Sequence, residues 1–268
     1  MKYISLISQQ LMAMGFLTKL SIFLKSTKLF KNWYVYPLVY FKLTKKDHVI
    51  FETKTGLKIK IRVNSTDLMA LTHVWMIQEY SGDDFPISND DVIIDVGAHI
   101  GLFALFASQF CKNGKIFCYE PIKENYKILI ENIEMNQIQN IFPNNLAVTK
   151  ETSRVKIFLN DDQSGHSMFI QNKNFVEVDS KSLSDIFIDN GIKECDFLKL
   201  DCEGAEYEII ESLSADLFTK INKTVIEYHM VDTKPELLEQ LINKLKQFSF
   251  SVHTRPLFVD IGFLFGKK

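Results

Sequence analysis

Residues 91–101 read D-V-I-I-D-V-G-A-H-I-G, a string that few folds can accommodate. An apolar, β-branched run ends at Asp95 and passes through Gly97 to Gly101, where an apolar helical pattern begins. Strand, glycine turn and helix in that order belong to open α/β sheets, whose ligands bind at the carboxyl ends of the strands. Glycine tolerates close approaches that other residues cannot make. A helix start adds unpaired N–H groups and the positive end of a dipole, so the turn suits a nucleotide.

The rest of the chain repeats the alternation. Strand patterns at 92–95, 115–119, 141–148, 197–201 and 224–228 alternate with helical patterns at 101–110, 122–135, 183–189, 205–213 and 236–248. Short extra strands are expected at 155–159, 168–170 and 175–178, and two closing strands at 250–253 and 258–265. Right-handed crossovers between such strands give a mostly parallel, doubly wound sheet. Before it, 48–53 and 57–63 form a hairpin pattern around Thr55-Gly56, and Asp67 caps a helix running towards Tyr80. The 268 residues therefore divide into a basic apolar helical leader at 1–46, a hairpin-and-helix extension at 47–89 and a nucleotide-binding domain at 90–268.

The leader holds eight lysines and no acidic residue, whereas the whole chain has a net charge of only -2. A near-neutral molecule has no general attraction to nucleic acid. Lysines interrupt each apolar run before the ~20 residues of a spanning helix, and the order of a cleaved signal peptide is missing. Two readings stay open for the leader: peripheral contact with an anionic membrane, or a pair of helices packed on the domain. Cys111, Cys118, Cys195 and Cys202 lack metal-finger spacing. They read as reduced, buried small hydrophobes, which places the protein in the cytoplasm or at the inner face of its membrane.

The chemistry lies at the strand ends. The turn is GxxxG preceded by an acid, which departs from the GxGxxG of dinucleotide sites. Asp95 would repel a pyrophosphate but suits the cationic methionyl group of S-adenosylmethionine (SAM). Glu120 ends the next strand nineteen residues past Gly101, where a carboxylate can accept both ribose hydroxyls. F-L-K-L-D-C-E-G-A-E then delivers Asp201 and Glu203, and V-I-E-Y-H delivers Glu227 and His229. Each alone reads as a solvated acid or a structural histidine. Together they suit deprotonation of a hydroxyl, with His229 as base beside Asp201 and Glu227. Asp201, Glu203 and Glu227 could instead hold a divalent cation that acidifies the hydroxyl. Ser164-Gly165-His166-Ser167 lacks the elbow of GxSxG and reads as a turn or a lid.

The strings D-V-G-A-H-I-G, Y-E-P, K-L-D-C-E-G-A-E and E-Y-H, in this order, resemble the FkbM family of SAM-dependent methyltransferases. The resemblance covers residues 90–229, with fainter similarity at 75–80. It implies a class I methyltransferase (Rossmann-like) fold: a seven-stranded, mostly parallel sheet with helices on both faces and a final antiparallel strand. It also implies that Asp95, Gly97, Ala98 and Gly101 bind the methionyl side of SAM, that Glu120 binds its ribose, and that Asn145 lies near the adenine. Asp201, Glu227 and His229 would border the acceptor, a hydroxyl of a sugar, glycolipid or related small biosynthetic product. His99 and Cys202 stand where the family carries a small amide and a valine. The competing readings are an NAD-linked oxidoreductase, an RNA methyltransferase, and a non-catalytic membrane-docked interaction protein. The missing GxGxxG, the neutral charge and the acids at the strand ends count against them in turn.

Overall fold

The computed structural model describes residues 15–81, 84–158, 174–257 and 259–268. Its N-terminal part consists of α1 (Phe16–Leu29), α2 (Val35–Tyr40), the hairpin β1 (His48–Glu52) and β2 (Lys58–Arg62), and α3 (Asp67–Leu71). The main alternation follows as β3 (Val92–Val96), α4 (Leu102–Ala107), β4 (Lys115–Tyr119), α5 (Lys123–Met135) and β5 (Ile141–Asn144). Next come β6 (Ala147–Thr149), β7 (Ser153–Phe158), β8 (Phe175–Ser182), α6 (Leu183–Asp189), β9 (Phe197–Leu200) and α7 (Glu206–Ser212). The chain closes with α8 (Ala215–Thr219), β10 (Lys223–Tyr228), α9 (Pro235–Gln247), β11 (Ser251–Pro256) and β12 (Gly262–Lys267).

Seven strands form one sheet in the order β11-β12-β10-β9-β3-β4-β5. The five from β10 to β5 run parallel, and β12 is antiparallel to both of its neighbours. The seven-stranded, mostly parallel Rossmann-like sheet expected from the sequence is therefore present. From β3 the chain builds outwards to β4 and β5, then returns to place β9 on the other side of β3. That reversal opens a crevice at the carboxyl ends of β3 and β9.

The strands carry apolar side chains on both faces, as buried parallel strands require. Ile93, Ile116, Phe197, Val225 and Phe263 enter one core layer, with α4 and α5. Their neighbours Ile94, Phe117, Leu198, Ile226 and Leu264 enter the other, with α6, α7 and α9. Helices thus cover both faces. The first layer extends into the N-terminal part, where Ile22, Phe30, Tyr36 and Val39 pack with Phe51 and Trp75.

Three details differ from the sequence expectation. Residues 141–148 do not form one strand: β5 ends at Asn144 on the edge of the main sheet, and β6 joins a separate sheet in the order β6-β8-β7. Pro143 fits an edge strand, where no ladder N–H is missed. The helix expected from Asp67 to Tyr80 is α-helical only to Leu71 and continues as a π-helical turn over Thr72–Ile77. There the Thr72 hydroxyl donates to Leu68 O at 2.8 Å, a back-bond that bends helices. Nor does Asp67 cap this helix. It is the first helical residue, and its carboxylate is taken by Arg62 N, Nε and Nη2. The strand expected at 168–170 and the turn or lid at 164–167 lie outside the described residues. All four cysteines are free, three of them buried, as expected.

Candidate active site

The glycine turn is shaped by the protein itself. Gly97 has φ +73°, and a Cβ there would sit 1.7 Å from the carbonyl oxygen of Asp201. Gly101 has φ +85°, and its Cβ would meet Leu129 Cδ1 of α5 at 2.4 Å. At this turn the N–H groups ahead of the helix start are already paired. Gly97 N and Ala98 N both donate to Tyr119 O at 3.0 Å, and His99 N donates to Glu120 Oε2 at 2.8 Å. The turn spends these donors on locking β3 to the end of β4. Gly97→Ala therefore forces β3 and β9 apart at the crevice. We expect a lowered thermal unfolding midpoint and loss of SAM binding in titration, with the backbone strain alone costing about 1–3 kcal/mol.

His99 explains itself in the same frame. Its φ is +51°, a left-handed conformation in which Asn, Asp and His are all enriched. A histidine can thus replace the family's amide without new strain. Its ring Nε2 lies 3.1 Å from Arg62 Nη2 and 3.5 Å from Asp67 Oδ1. The substitution ties the turn to the N-terminal extension through the Arg62–Asp67 pair.

Glu120 is buried at the end of β4 and lines the cavity over the crevice. Its carboxylate accepts from His99 N, Ile122 N at 2.9 Å and Asn125 Nδ2 at 3.3 Å. Burial outweighs these donors and raises its pKa to about 7. A carboxylate offers about four acceptor positions, so one, on Oε2, remains for a ligand hydroxyl. Gly97 and Ala98 line the same cavity. Asn145 does not line it. Its side-chain amide donates to Glu120 O at 2.9 Å and Pro121 O at 3.0 Å, which fixes the loop behind Glu120.

Asp95 is also set back from the cavity. It is fully buried, with Oδ1 3.0 Å from Lys199 Nζ, while Oδ2 has no hydrogen-bond partner among the described residues. Lys199, in contrast, does line the cavity. Burial works against its ammonium, but the charges of Asp95, Asp201 and Glu227 outweigh it and hold its pKa above the ordinary lysine value. Lys199 Nζ also lies 3.7 Å from Asp201 Oδ2 and 4.9 Å from the Tyr80 ring centroid.

Beyond Lys199 the strand-end acids converge. The Tyr80 hydroxyl lies 2.8 Å from Asp201 Oδ2 and 2.6 Å from Glu227 Oε2, close enough to donate to either. Burial, reinforced by Asp201, raises the Glu227 pKa to about 8. His229 sits behind this pair, with Nδ1 3.1 Å from Glu206 Oε1 and Nε2 3.7 Å from both Glu203 Oε2 and Glu227 Oε1. Burial disfavours the imidazolium, but Glu203, Glu206 and Glu227 together raise the His229 pKa well above its ordinary value. His229 does not itself line the cavity; two of the carboxylates it meets, Glu203 and Glu227, do. Asp201, Glu203 and Glu227 line the cavity. Among the described residues, the three groups with ligand atoms all within 4.8 Å of one another are Asp201, Glu227 and His229, not the expected set with Glu203.

Tyr80, Lys199 and Glu206 were not singled out by the sequence reading. Lys199 had a visible signal, a charge inside the apolar strand F-L-K-L. Glu206 had a weaker one as the last acid of E-G-A-E, where it accepts from Gly204 N, His229 N and His229 Nδ1. Tyr80 had only the faint family similarity at 75–80, because it comes from the extension, 121 residues before Asp201.

A sequence profile described as the Methyltransferase FkbM domain matches residues 95–252, which contain every strand-end group described above. This chain belongs to the FkbM methyltransferase family. As a SAM-dependent methyltransferase of FkbM type, it has curated relatives of modest identity. Methyltransferase 1 of Beauveria bassiana is 23% identical over 167 residues, covering 54% of this chain and 67% of the relative. Methyltransferase sdnD of Sordaria araneosa is 23% identical over 174 residues, covering 53% and 67%. A crystal structure of an FkbM methyltransferase from Methylobacillus flagellatus superposes with a TM-score of 0.51 at 16% identity. That match covers 74% of this chain and 53% of the other, so the chain spans about half of that neighbour and shares its fold.

Proposed function

We propose that this FkbM methyltransferase transfers a methyl group to a hydroxyl of a sugar, a glycolipid or a related small biosynthetic product, with Glu227 as proton acceptor. The observation that carries the reading is that one cavity is lined both by the turn with Glu120 and by Asp201, Glu227 and Tyr80. SAM, when bound, supplies the electrophilic methyl group. The residues fit it: Glu120 keeps an acceptor position for a ribose hydroxyl, and the Gly97–Ala98 backbone borders the methionyl side. The acids beyond Lys199 suit a sulfonium neighbour. Asp95 and Asn145 act one step removed, through Lys199 and the Glu120 loop.

The acceptor hydroxyl meets the Asp201–Glu227 end of the cavity. A base with a pKa near the working pH is the most effective proton acceptor, and Glu227, at the acceptor end, is raised into that range as Glu120 is at the cofactor end. His229 holds the Glu203 and Glu227 carboxylates in place, and Tyr80 orients Glu227. Alignment of oxygen and methyl group supplies much of the remaining acceleration. The test is transfer from isotopically labelled SAM to a panel of free sugars, glycolipids and phenols, with the product bond identified by NMR. An O-methyl ether is expected, and an N- or C-methyl product would overturn the reading.

The pKa of Glu120 makes cofactor binding depend on pH. A ribose hydroxyl donates to the carboxylate, so binding favours the ionised form. SAM affinity should be flat above about 7 and fall by up to about tenfold per pH unit below it. Glu120→Gln should bind more weakly and lose this slope. Calorimetric titration on both sides of neutrality reads both effects.

A further inference from the structure

Helix α1 is apolar on two opposite sides. Ile22 and Ser26 are buried against the domain, while Leu17, Leu20 and Leu24, at i, i+3 and i+7, face solvent, Leu17 at 78% exposure. The pattern repeats in and around α2, where Tyr36 and Val39 are buried. Tyr34, Leu38 and Phe41, at i, i+4 and i+7, point outwards, Phe41 at 65%. Trp33 and Leu43 add to this exposed apolar surface. Around it stand the exposed Lys28, Lys42, Lys45 and Lys46, in a segment with no acidic residue up to position 46. Clustered exposed apolar side chains on a soluble fold mark a surface that is covered in use.

We propose that the outward face of α1 and α2 docks this protein on an anionic lipid bilayer. Leucines with Trp and Tyr, rimmed by lysines, form the composition of a helix lying in the membrane interface, where each lysine near an anionic surface adds to the attraction. A second copy of the chain is a poor occupant, because two such faces would bring like charges together. Among the described residues no helix is long and apolar enough to cross a membrane. The helices that carry this face pack with their other side against one wall of the active site. Lys25 Nζ donates to Met76 O at 2.8 Å, and the Tyr36 hydroxyl meets Thr72 Oγ1 at 2.8 Å, both on the π-helical turn. His73 and Val74 of that turn line the cavity. Docking would thus hold at the bilayer the helices that buttress one wall of the cavity.

The test is sedimentation of the purified full-length chain with phosphatidylcholine vesicles, with and without phosphatidylglycerol, in the absence of SAM. We expect binding only to the anionic vesicles, weakened by salt. The double variant Leu24→Asp/Phe41→Asp should bind about tenfold less or worse. Circular dichroism and SAM titration, both unchanged in the variant, would show that it is folded. No binding by the wild type, or equal binding by wild type and variant, would overturn the proposal. So would a dimer in analytical ultracentrifugation that the same variant dissociates. Because no methyl transfer is measured, failure here leaves the assignment of the reaction standing.

Discussion

Glu227→Gln lowers turnover by about 10²–10⁴-fold and leaves SAM affinity unchanged, because it removes the proton acceptor and keeps its shape. The glutamine can still take the Tyr80 hydroxyl bond, so the fold around Asp201 is retained. The sign of the pH effect follows from the raised pKa. Glu227 works as a base only when ionised, so kcat/KM should rise with pH through about 8 and level off above it. In Glu227→Gln that limb should vanish. His229 acts through Glu227 and Glu203, so His229→Gln should shift the limb and lower turnover less than Glu227→Gln does. Equal loss of turnover and SAM affinity in Glu227→Gln would make the residue structural. Loss of wild-type activity on chelation, restored by a divalent cation, would transfer the role to an ion held by Asp201, Glu227 and His229.

Lys199→Met destabilises the protein by about 3–5 kcal/mol, the cost of leaving a buried charge without its partner. Asp95 is fully buried, and Lys199 is the cation that offsets it. Asp95 also lacks a partner for Oδ2 among the described residues, so nothing nearby can take over. Adding Asp95→Asn to Lys199→Met removes the stranded charge, and the double variant should recover at least half of the loss. Urea unfolding of the two single variants and the double variant measures the coupling directly. Independent, additive effects would mean that the pair does not hold β3 to β9.

The contrast between those two residues shows where sequence reading succeeds in this chain. Residues 91–101 announced both the strand and its turn, because apolar periodicity and glycine spacing are local signals. Glu120, Asp201 and Glu227 were found in the same way, as acids that end apolar strands. What the string could not show was which side of a strand end each group takes. Asp95 and Asp201 look alike as strand-end acids, yet one is sealed against Lys199 and the other lines the cavity. The surroundings of His229 were equally hidden, since they depend on Glu203 and Glu206 folding back around its ring. Tyr80 reaches the site only because the extension packs on α4, where Trp75 Nε1 donates to Leu102 O at 3.1 Å. The π-helical turn that carries this approach leaves no periodicity to read.

The central claim, that the crevice between β3 and β9 is a SAM site, is tested most directly by calorimetric titration of the purified chain. SAM, its demethylated product and NAD are titrated in parallel, against wild type and Glu120→Gln. The account predicts micromolar binding of SAM and product, weakened in Glu120→Gln, and none of NAD. Binding of NAD in place of SAM, or SAM binding indifferent to Glu120, would contradict it.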